Sequence, residues 1–197
     1  MQKFIRVFIL AILLCSSCDT SRRVDKPIDE EYINPKSDHP YTTETYIDKF
    51  KGIAIWQMRK YGIPASITLA QAILESSSGN SELARVAKNH FGIKCNNNWN
   101  GKTYLKDDER KNECFRMYKN ESESFKDHAE FLKRDRYASL FTIDNNDYIE
   151  WARGLKKAGY ATNPHYPDLL IGLIQRYKLY QYDKVAMGKR KKDDIYY

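Results

Sequence analysis

The residue best suited to chemistry is Glu75, which ends a segment that is otherwise almost wholly apolar. Six of the eight residues at 67–74 are apolar, and at helical spacing they cover most of the helix circumference, as in a helix buried inside its domain. Thr68, Gln71 and Glu75 follow at steps of three and four residues, which gives that helix one narrow polar stripe.

A carboxyl group at this position has a chemical use if the stripe faces a cleft. Apolar surroundings disfavour the charged form and would raise the pKa of Glu75 toward neutrality. A carboxyl that keeps its proton near pH 7 can donate it to a leaving oxygen, which is general acid catalysis. The spacing alone fits a solvated glutamate at a frayed helix end equally well, so both interpretations stay open here.

The elements that must position Glu75 are mostly helical. Gly62 is a helix stop signal, Pro64 is placed to begin the helix that carries Glu75, and Gly79 is placed to end it. Asn and Gly turn residues with short apolar runs at 91–118 predict a β-hairpin lobe. We therefore expect an α+β, mostly helical domain at 44–182 with a small β-hairpin lobe and helices at 45–61, 65–76, 82–88, 122–133, 147–157 and 167–180.

The two ends of the chain differ from this domain. Lys3 and Arg6 precede an apolar run at 7–15, and Ser16 and Ser17 precede Cys18. This pattern predicts a lipoprotein-type signal at 1–18 with lipidation on Cys18, although a plain secretory signal or an uncleaved anchor has similar features. Polar residues at 19–43 predict a flexible tether, and the Lys/Arg run near the end predicts a basic disordered tail at 183–197.

Cys95 and Cys114 remain for the mature chain once the two signal cysteines are set aside. In an oxidising compartment they can form a disulfide worth about 3 kcal/mol in the loop-entropy model, and the alternative is two free thiols. Two cysteines are too few for a structural zinc site, and the four histidines show no helical pair with metal spacing. We expect no metal and no cofactor.

The net charge of +7 and the pI of about 9.1 fit several anionic partners, among them nucleic acid, lipid and cell-wall polymers. The sequence contains no Walker loop, no zinc-finger spacing and no recognisable nucleic-acid module. Nucleic acid is therefore not an expected partner.

Three blocks of the sequence, AQAILESSSGNSELARVAKNHFGIKC, ECFRMY and AGYATNPHYPDLL, resemble the bacterial glucosaminidase family. This is glycoside hydrolase family 73 of the lysozyme-like superfamily, and the similarity covers residues 45–180. The resemblance implies a lysozyme-like fold and cleavage of peptidoglycan strands at the β-1,4 bond after N-acetylglucosamine. With the signal pattern, we expect an exported, monomeric protein of the cell envelope, attached to a membrane through a lipid anchor on Cys18.

The resemblance assigns catalytic roles residue by residue. Glu75 takes the position of the general acid, and Tyr160 that of a tyrosine needed near it. A second acid is expected in the β lobe, before the Phe-Arg-x-Tyr element that ends at Tyr118. Asp108 and Glu109 are the favoured candidates, Glu113 is more easily read as structural, and the acidic segment as a whole could be a solvated turn. The substrate-binding candidates are Gln71, Phe91, Tyr118, Asn163, His165 and Tyr166.

Several mechanisms and functions stay open on the sequence. Two carboxyl groups can act in an inverting or in a covalent route, and the N-acetyl group of the substrate can itself act as the nucleophile. The same fold could also serve a non-catalytic glycan-binding lipoprotein or a lytic transglycosylase.

Overall fold

A computed structural model describes residues 40–188, which form a helical body with one β-hairpin. The α-helices are α1 Thr43–Tyr61, α2 Ala65–Ser76, α3 Glu82–Ala87, α4 Glu121–Leu132, α5 Tyr148–Lys157, α6 Tyr166–Arg176 and α7 Tyr180–Met187. A 3₁₀ helix spans Asp135–Thr142, and the strands are β1 Thr103–Lys106 and β2 Glu113–Arg116. The predicted α+β, mostly helical architecture with a small hairpin lobe is confirmed.

Helix α2 lies at the centre of this body. Every residue from Ala65 to Ile73 is buried, and the helix packs against α1, α5, α6 and α7. The prediction of a central helix from its nearly continuous apolar surface is therefore confirmed. A helix packed on several sides is held rigidly, so the side chain of Glu75 at its end has a fixed origin.

The turn after α2 is held in an unusual backbone conformation. Ser77, Ser78 and Gly79 all have positive φ angles, and α2 ends at Ser76, as the predicted range 65–76 has it. A Cβ atom on Gly79 would lie 2.6 Å from a ring carbon of Tyr46, so only glycine fits there. The Ser76 hydroxyl accepts a hydrogen bond from the Gly79 amide at 2.7 Å, which fixes the turn next to Glu75.

The start of the domain is bonded to this same turn. The Asn80 side chain donates to the Tyr41 carbonyl oxygen at 2.8 Å and accepts from the Tyr41 amide at 3.2 Å. The hydroxyls of Thr43 and Ser78 lie 2.9 Å apart. Thr42 then caps α1 in a reciprocal capping box with Thr45. The segment before α1 therefore joins the fold directly beside the end of α2.

The hairpin is a two-stranded antiparallel sheet in which Tyr104 pairs with Phe115 and Leu105 with Cys114. A disulfide joins Cys95 to Cys114, and the Cys95 amide donates to the Cys114 carbonyl oxygen at 2.8 Å. Arg116 makes two hydrogen bonds to the Asp127 carboxylate, at 2.9 and 2.8 Å. These contacts tie β2 to the segment before β1 and to α4.

The structure moves both predicted domain boundaries outward. Residues 41–43, assigned to the tether, belong to the fold through the contacts described above. Residues 183–187, assigned to the disordered tail, form most of α7, and Asp183 is buried there. Its carboxylate accepts a hydrogen bond from the Ser66 amide at 2.8 Å and so caps the start of α2. The sequence pattern missed this because the contact joins residues far apart in the chain.

The remaining differences are smaller. The last predicted helix, 167–180, is instead α6 followed by the separate α7, and the 3₁₀ helix was not predicted. The predicted signal with Cys18, most of the tether and the end of the tail lie outside the described residues. Within residues 40–188, no helix is both long and apolar enough to cross a membrane.

Candidate active site

A groove of about 1880 Å³ crosses the molecule at the end of α2. We call its two sides the hairpin wall and the helical wall. The hairpin wall contains residues 93–96, 106–109, Phe115 and Arg116. The helical wall contains Phe131, Arg134, residues 160–163, Tyr166, Leu169, Arg176 and Tyr177. Glu75 lies in the groove between them, with the Tyr41–Glu44 segment also along its edge. A groove of this volume is larger than the pockets of about 300–1,000 Å³ that hold small ligands, and it suits a polymer better.

Glu75 is exposed to the space of the groove but surrounded by its walls. Burial among these walls raises the pKa of Glu75 to about 7, and a hydrogen bond that the Tyr166 hydroxyl donates to Oε1 at 3.0 Å opposes the rise. Solvent in the open groove also opposes it, so a ligand that displaces this solvent would strengthen the effect of burial. The carboxyl can therefore hold a proton near neutral pH.

Two tyrosines and a glutamine support Glu75. Tyr166 receives a hydrogen bond from the Gln71 side-chain amide at 3.0 Å, and its ring stacks on Tyr160 with centroids 5.6 Å apart. Burial raises the pKa of both tyrosines well above its usual value, so both stay neutral and can donate. Gln71 is fully buried and does not line the groove. It reaches the groove only through its hydrogen bond to Tyr166, so the structure does not place it in direct contact with a ligand there.

Phe91 lines the groove with a small part of its ring, since the residue is buried. Its other face stacks on His128 with centroids 3.8 Å apart, and His128 meets Tyr160 edge to face at 6.2 Å. Burial lowers the pKa of His128 to about 3, so the imidazole is neutral. His128 supports the aromatic side of the site, and sequence analysis did not single it out because a lone histidine in a helix carries no motif.

The hairpin acids line the groove opposite these tyrosines. Asp108 and Glu109 both face it, and Lys94 Nζ lies 3.4 Å from Asp108 Oδ2 and 3.8 Å from Glu109 Oε2. Lys94 also lies 2.8 Å from Glu113 Oε2, and Glu113 does not line the groove, as its structural interpretation requires. Lys94 thus holds the hairpin acids together, a role that the sequence did not reveal.

Of the other predicted substrate contacts, two line the groove and two do not. Asn163 and Tyr166 line the groove, and the Asn163 side chain accepts a hydrogen bond from the His165 amide at 2.8 Å. His165 points away from the groove and lies 3.7 Å from Asp168. Tyr118 is buried against α4 and donates to Asp127 at 2.5 Å, because β2 turns this side chain inward. The structure therefore places Tyr118 and His165 outside the groove.

Two other features could have competed as functional sites. Among residues 40–188, no group of three His, Cys, Asp or Glu side chains is arranged to hold a metal ion. A smaller cavity of about 340 Å³ lies beside α5 and α7, lined by Tyr148, Tyr180 and Asp183 among others. Asp183 already caps α2 there, and the cavity does not include Glu75. The chemistry therefore lies in the groove.

An acid at the end of a buried helix, facing a groove between a helical wall and a small hairpin, places the protein among lysozyme-like glycoside hydrolase domains. Residues 51–179 match the family model described as Glucosaminidase, mannosyl-glycoprotein endo-beta-N-acetylglucosaminidase. The chain belongs to this family, glycoside hydrolase family 73, and the resemblance seen in the sequence is confirmed.

Curated relatives include the exo-glucosaminidase LytG of Bacillus subtilis (strain 168), 34% identical over 95% of this chain and 65% of LytG. The peptidoglycan hydrolase FlgJ of Escherichia coli (strain K12) is 35% identical over 64% of this chain and 43% of FlgJ. The chain thus spans less than two thirds of the length of either relative.

Solved structures agree on the fold. The catalytic domain of the autolysin Auto from Listeria monocytogenes has a TM-score of 0.62 and 31% identity, covering 71% of this chain and 86% of that domain. The glycoside hydrolase domain of FlgJ from Salmonella typhimurium has a TM-score of 0.59 and 28% identity, covering 74% of this chain and 94% of that domain.

Proposed function

We propose that this chain is a peptidoglycan hydrolase that cleaves the β-1,4 bond after N-acetylglucosamine, with Glu75 as the general acid. The observation that carries the proposal is the position of Glu75, at the end of a buried helix and inside a groove of about 1880 Å³, where burial among the walls raises its pKa. The names of LytG and FlgJ support the same substrate class.

In this mechanism the protonated Glu75 gives its proton to the glycosidic oxygen as the bond from that oxygen to the anomeric carbon breaks. The leaving sugar departs as an alcohol, and a water molecule adds to the anomeric carbon. Tyr166 holds the carboxyl in place through its hydrogen bond and lowers the cost of the anion that forms. Tyr160, neutral and in the groove, is placed to donate to the sugar.

We favour Asp108 as the second carboxylate. Its side chain is 43% exposed, against 74% for Glu109, so Asp108 is the more constrained of the two acids in the groove. In an inverting route it would take the proton of the attacking water. If the N-acetyl group of the substrate is the nucleophile instead, the hairpin acids stabilise that group rather than water.

The cellular setting is part of the proposal. The Cys95–Cys114 disulfide is a feature of oxidising compartments, which supports export. Together with the signal pattern before Cys18, it favours a lipoprotein of the cell envelope attached to a membrane by its lipid. We propose that the protein acts there as a monomer on peptidoglycan strands.

The test is digestion of purified sacculi by the purified chain, followed by mass spectrometry of the products. We expect products with N-acetylglucosamine at the reducing end, and no cleavage by Glu75→Gln. Products ending in 1,6-anhydromuramic acid would show a lytic transglycosylase instead. Binding of sacculi without cleavage by the unaltered chain would show a glycan-binding protein.

A further inference from the structure

Most of the cationic side chains that line the groove have carboxylate partners. Lys94 pairs with the hairpin acids, Lys106 lies 2.5 Å from Glu82 Oε2, and Arg116 pairs with Asp127. These three cations all come from the hairpin side. Their charges are neutralised locally, so they offer little net attraction to an anionic ligand.

Arg134 on the helical wall is different. Its guanidinium lies over the Phe131 ring, with Cζ 4.3 Å from the centroid, and it forms no ion pair with any residue of the described range 40–188. Stacking on a ring holds a guanidinium in one orientation and leaves its edge free to donate. Arg134 is therefore a preorganised positive charge at the surface of the groove.

Arg134 is connected to the catalytic residues by aromatic contacts. Phe131 meets Tyr160 edge to face at 6.1 Å, and Tyr160 stacks on Tyr166, which bonds to Glu75. A strand bound at Glu75 and lying along the helical wall would therefore bring its substituents near Arg134. A planar guanidinium matches a carboxylate through two parallel hydrogen bonds.

Resting on the proposed function, we propose that Arg134 binds a carboxylate carried by the muramic acid residues of peptidoglycan. This carboxylate belongs to the peptide stem or, on residues that carry no stem, to the lactyl group, whose carboxyl group is otherwise held in the amide bond to the stem. Polymers of N-acetylglucosamine alone carry no such group. Arg134 is thus a specificity-determining residue that favours peptidoglycan strands over uncharged glycans with the same bond.

The test compares kcat/KM on intact strands with kcat/KM on strands whose carboxylates have been converted to neutral amides by carbodiimide coupling to methylamine. For the unaltered chain we expect the intact strands to be the better substrate. Arg134→Gln should lower the ratio of the two values about fivefold to tenfold, the range between an exposed ion pair and a charged hydrogen bond. Arg134→Lys should lower this ratio less than Arg134→Gln does, because lysine keeps the positive charge but cannot form two parallel hydrogen bonds.

Strands stripped of stems by an amidase identify the source of the carboxylate. The amidase also frees the lactyl carboxylates that the stems held as amides. If Arg134→Gln lowers the ratio only on intact strands, the stem carboxylate is the ligand; if it lowers the ratio only on stripped strands, the lactyl carboxylate is the ligand, and an effect on both means that Arg134 binds either one. Lys133→Gln is the matched control, because Lys133 is the neighbouring cation and does not line the groove. It should keep the ratio of the unaltered chain, and thermal melts should show all variants folded.

The outcomes separate the two proposals. Cleavage with a ratio that Arg134→Gln changes on neither intact nor stripped strands, or that Lys133→Gln lowers equally, would overturn the role of Arg134 and leave the hydrolase standing. Failure of the unaltered chain to cleave any strand would overturn the proposed function and the specificity role with it.

Discussion

Glu75, between the two walls, and the acids of the hairpin wall are held in the groove by different means. On the helical side, Glu75 is placed by a buried helix and by a hydrogen bond from a tyrosine that is itself buried and stacked. On the hairpin side, Asp108 and Glu109 are substantially exposed and share the single lysine Lys94.

The difference follows from the work that each carboxyl group would do. A general acid must keep its proton near neutral pH, and the walls around Glu75 raise its pKa although the groove itself is open to solvent. A group that accepts a proton from water must have solvent beside it, which the exposure of Asp108 and Glu109 provides. Exposed ion pairs contribute only about 0–1 kcal/mol, so the hairpin side is the more adjustable of the two.

The substitution with the largest expected effect is Glu75→Gln, which tests whether Glu75 is the general acid. The amide cannot donate an acidic proton, so we expect kcat/KM on peptidoglycan strands to fall about 1000-fold. Release of reducing ends from purified strands measures the change. A residual rate within tenfold of the unaltered chain would show that Glu75 is not the acid.

The same variant has a predictable effect on stability. The folded-state pKa of Glu75, about 7, lies above the ordinary value of 4.5, so the ionised carboxyl disfavours the folded state as pH rises between these values. Glu75→Gln should therefore be at least as stable as the unaltered chain at pH 8, which thermal melts would check. Activity of the unaltered chain should likewise fall as pH rises through about 7.

The hairpin wall is tested by Asp108→Asn beside Glu109→Gln. If Asp108 activates water, its substitution should lower kcat about 100-fold, and that of Glu109 should have a much smaller effect. Each of the two variants removes one negative charge and leaves Lys94 in place, so the two can be compared directly. Equal and small losses would favour a substrate-assisted route, in which the N-acetyl group takes the place of a protein nucleophile.

Tyr166→Phe tests the support of Glu75 and should have a smaller effect. The lost hydrogen bond favours the ionised form of Glu75, so its removal should move the alkaline limb of the pH–rate profile to higher pH. We expect kcat to fall by about tenfold or less, because the carboxyl remains but is less well oriented. A profile with an unmoved limb would mean that Tyr166 only packs against Tyr160.

Replacing both Cys95 and Cys114 by serine should have the smallest effect on turnover. The loop they close has a sequence separation of 19 residues, which corresponds to about 3 kcal/mol of stability in the loop-entropy model. We expect a lower melting temperature with kcat reduced less than threefold, because Glu75 and its tyrosines do not contact the disulfide. A large loss of kcat in a protein that remains folded would show that the disulfide positions the hairpin acids.

The sequence predicted the helix that carries Glu75 more fully than it predicted the arrangement of the hairpin acids. The buried α2 and the acid at its end follow from local spacing, and Gly62 ends α1 in a left-handed conformation, as its type suggests. Local periodicity carries this information because a helix repeats every few residues.

The contacts that complete the site are not local. The Tyr166–Glu75 bond joins residues 91 positions apart, and the Gln71–Tyr166 bond joins residues 95 apart. Asp183 looked solvent-exposed because it precedes a basic run, yet it caps α2 from another helix. Lys94 and Arg134 belong to no motif in the sequence, since what distinguishes them is which partners the fold brings to them.

The bonds between Tyr41 and Asn80 have a geometric consequence for a protein held by a lipid. These bonds fix the point where the tether meets the domain, which lies at the rim of the groove next to Glu75. Twenty-two residues at 19–40 lie between Cys18 and this point, and a fully extended chain of that length reaches about 70–80 Å. A lipid on Cys18 would thus restrict glycan cleavage to strands within that distance of the bilayer. The groove would lie at the end of the domain to which the tether is attached.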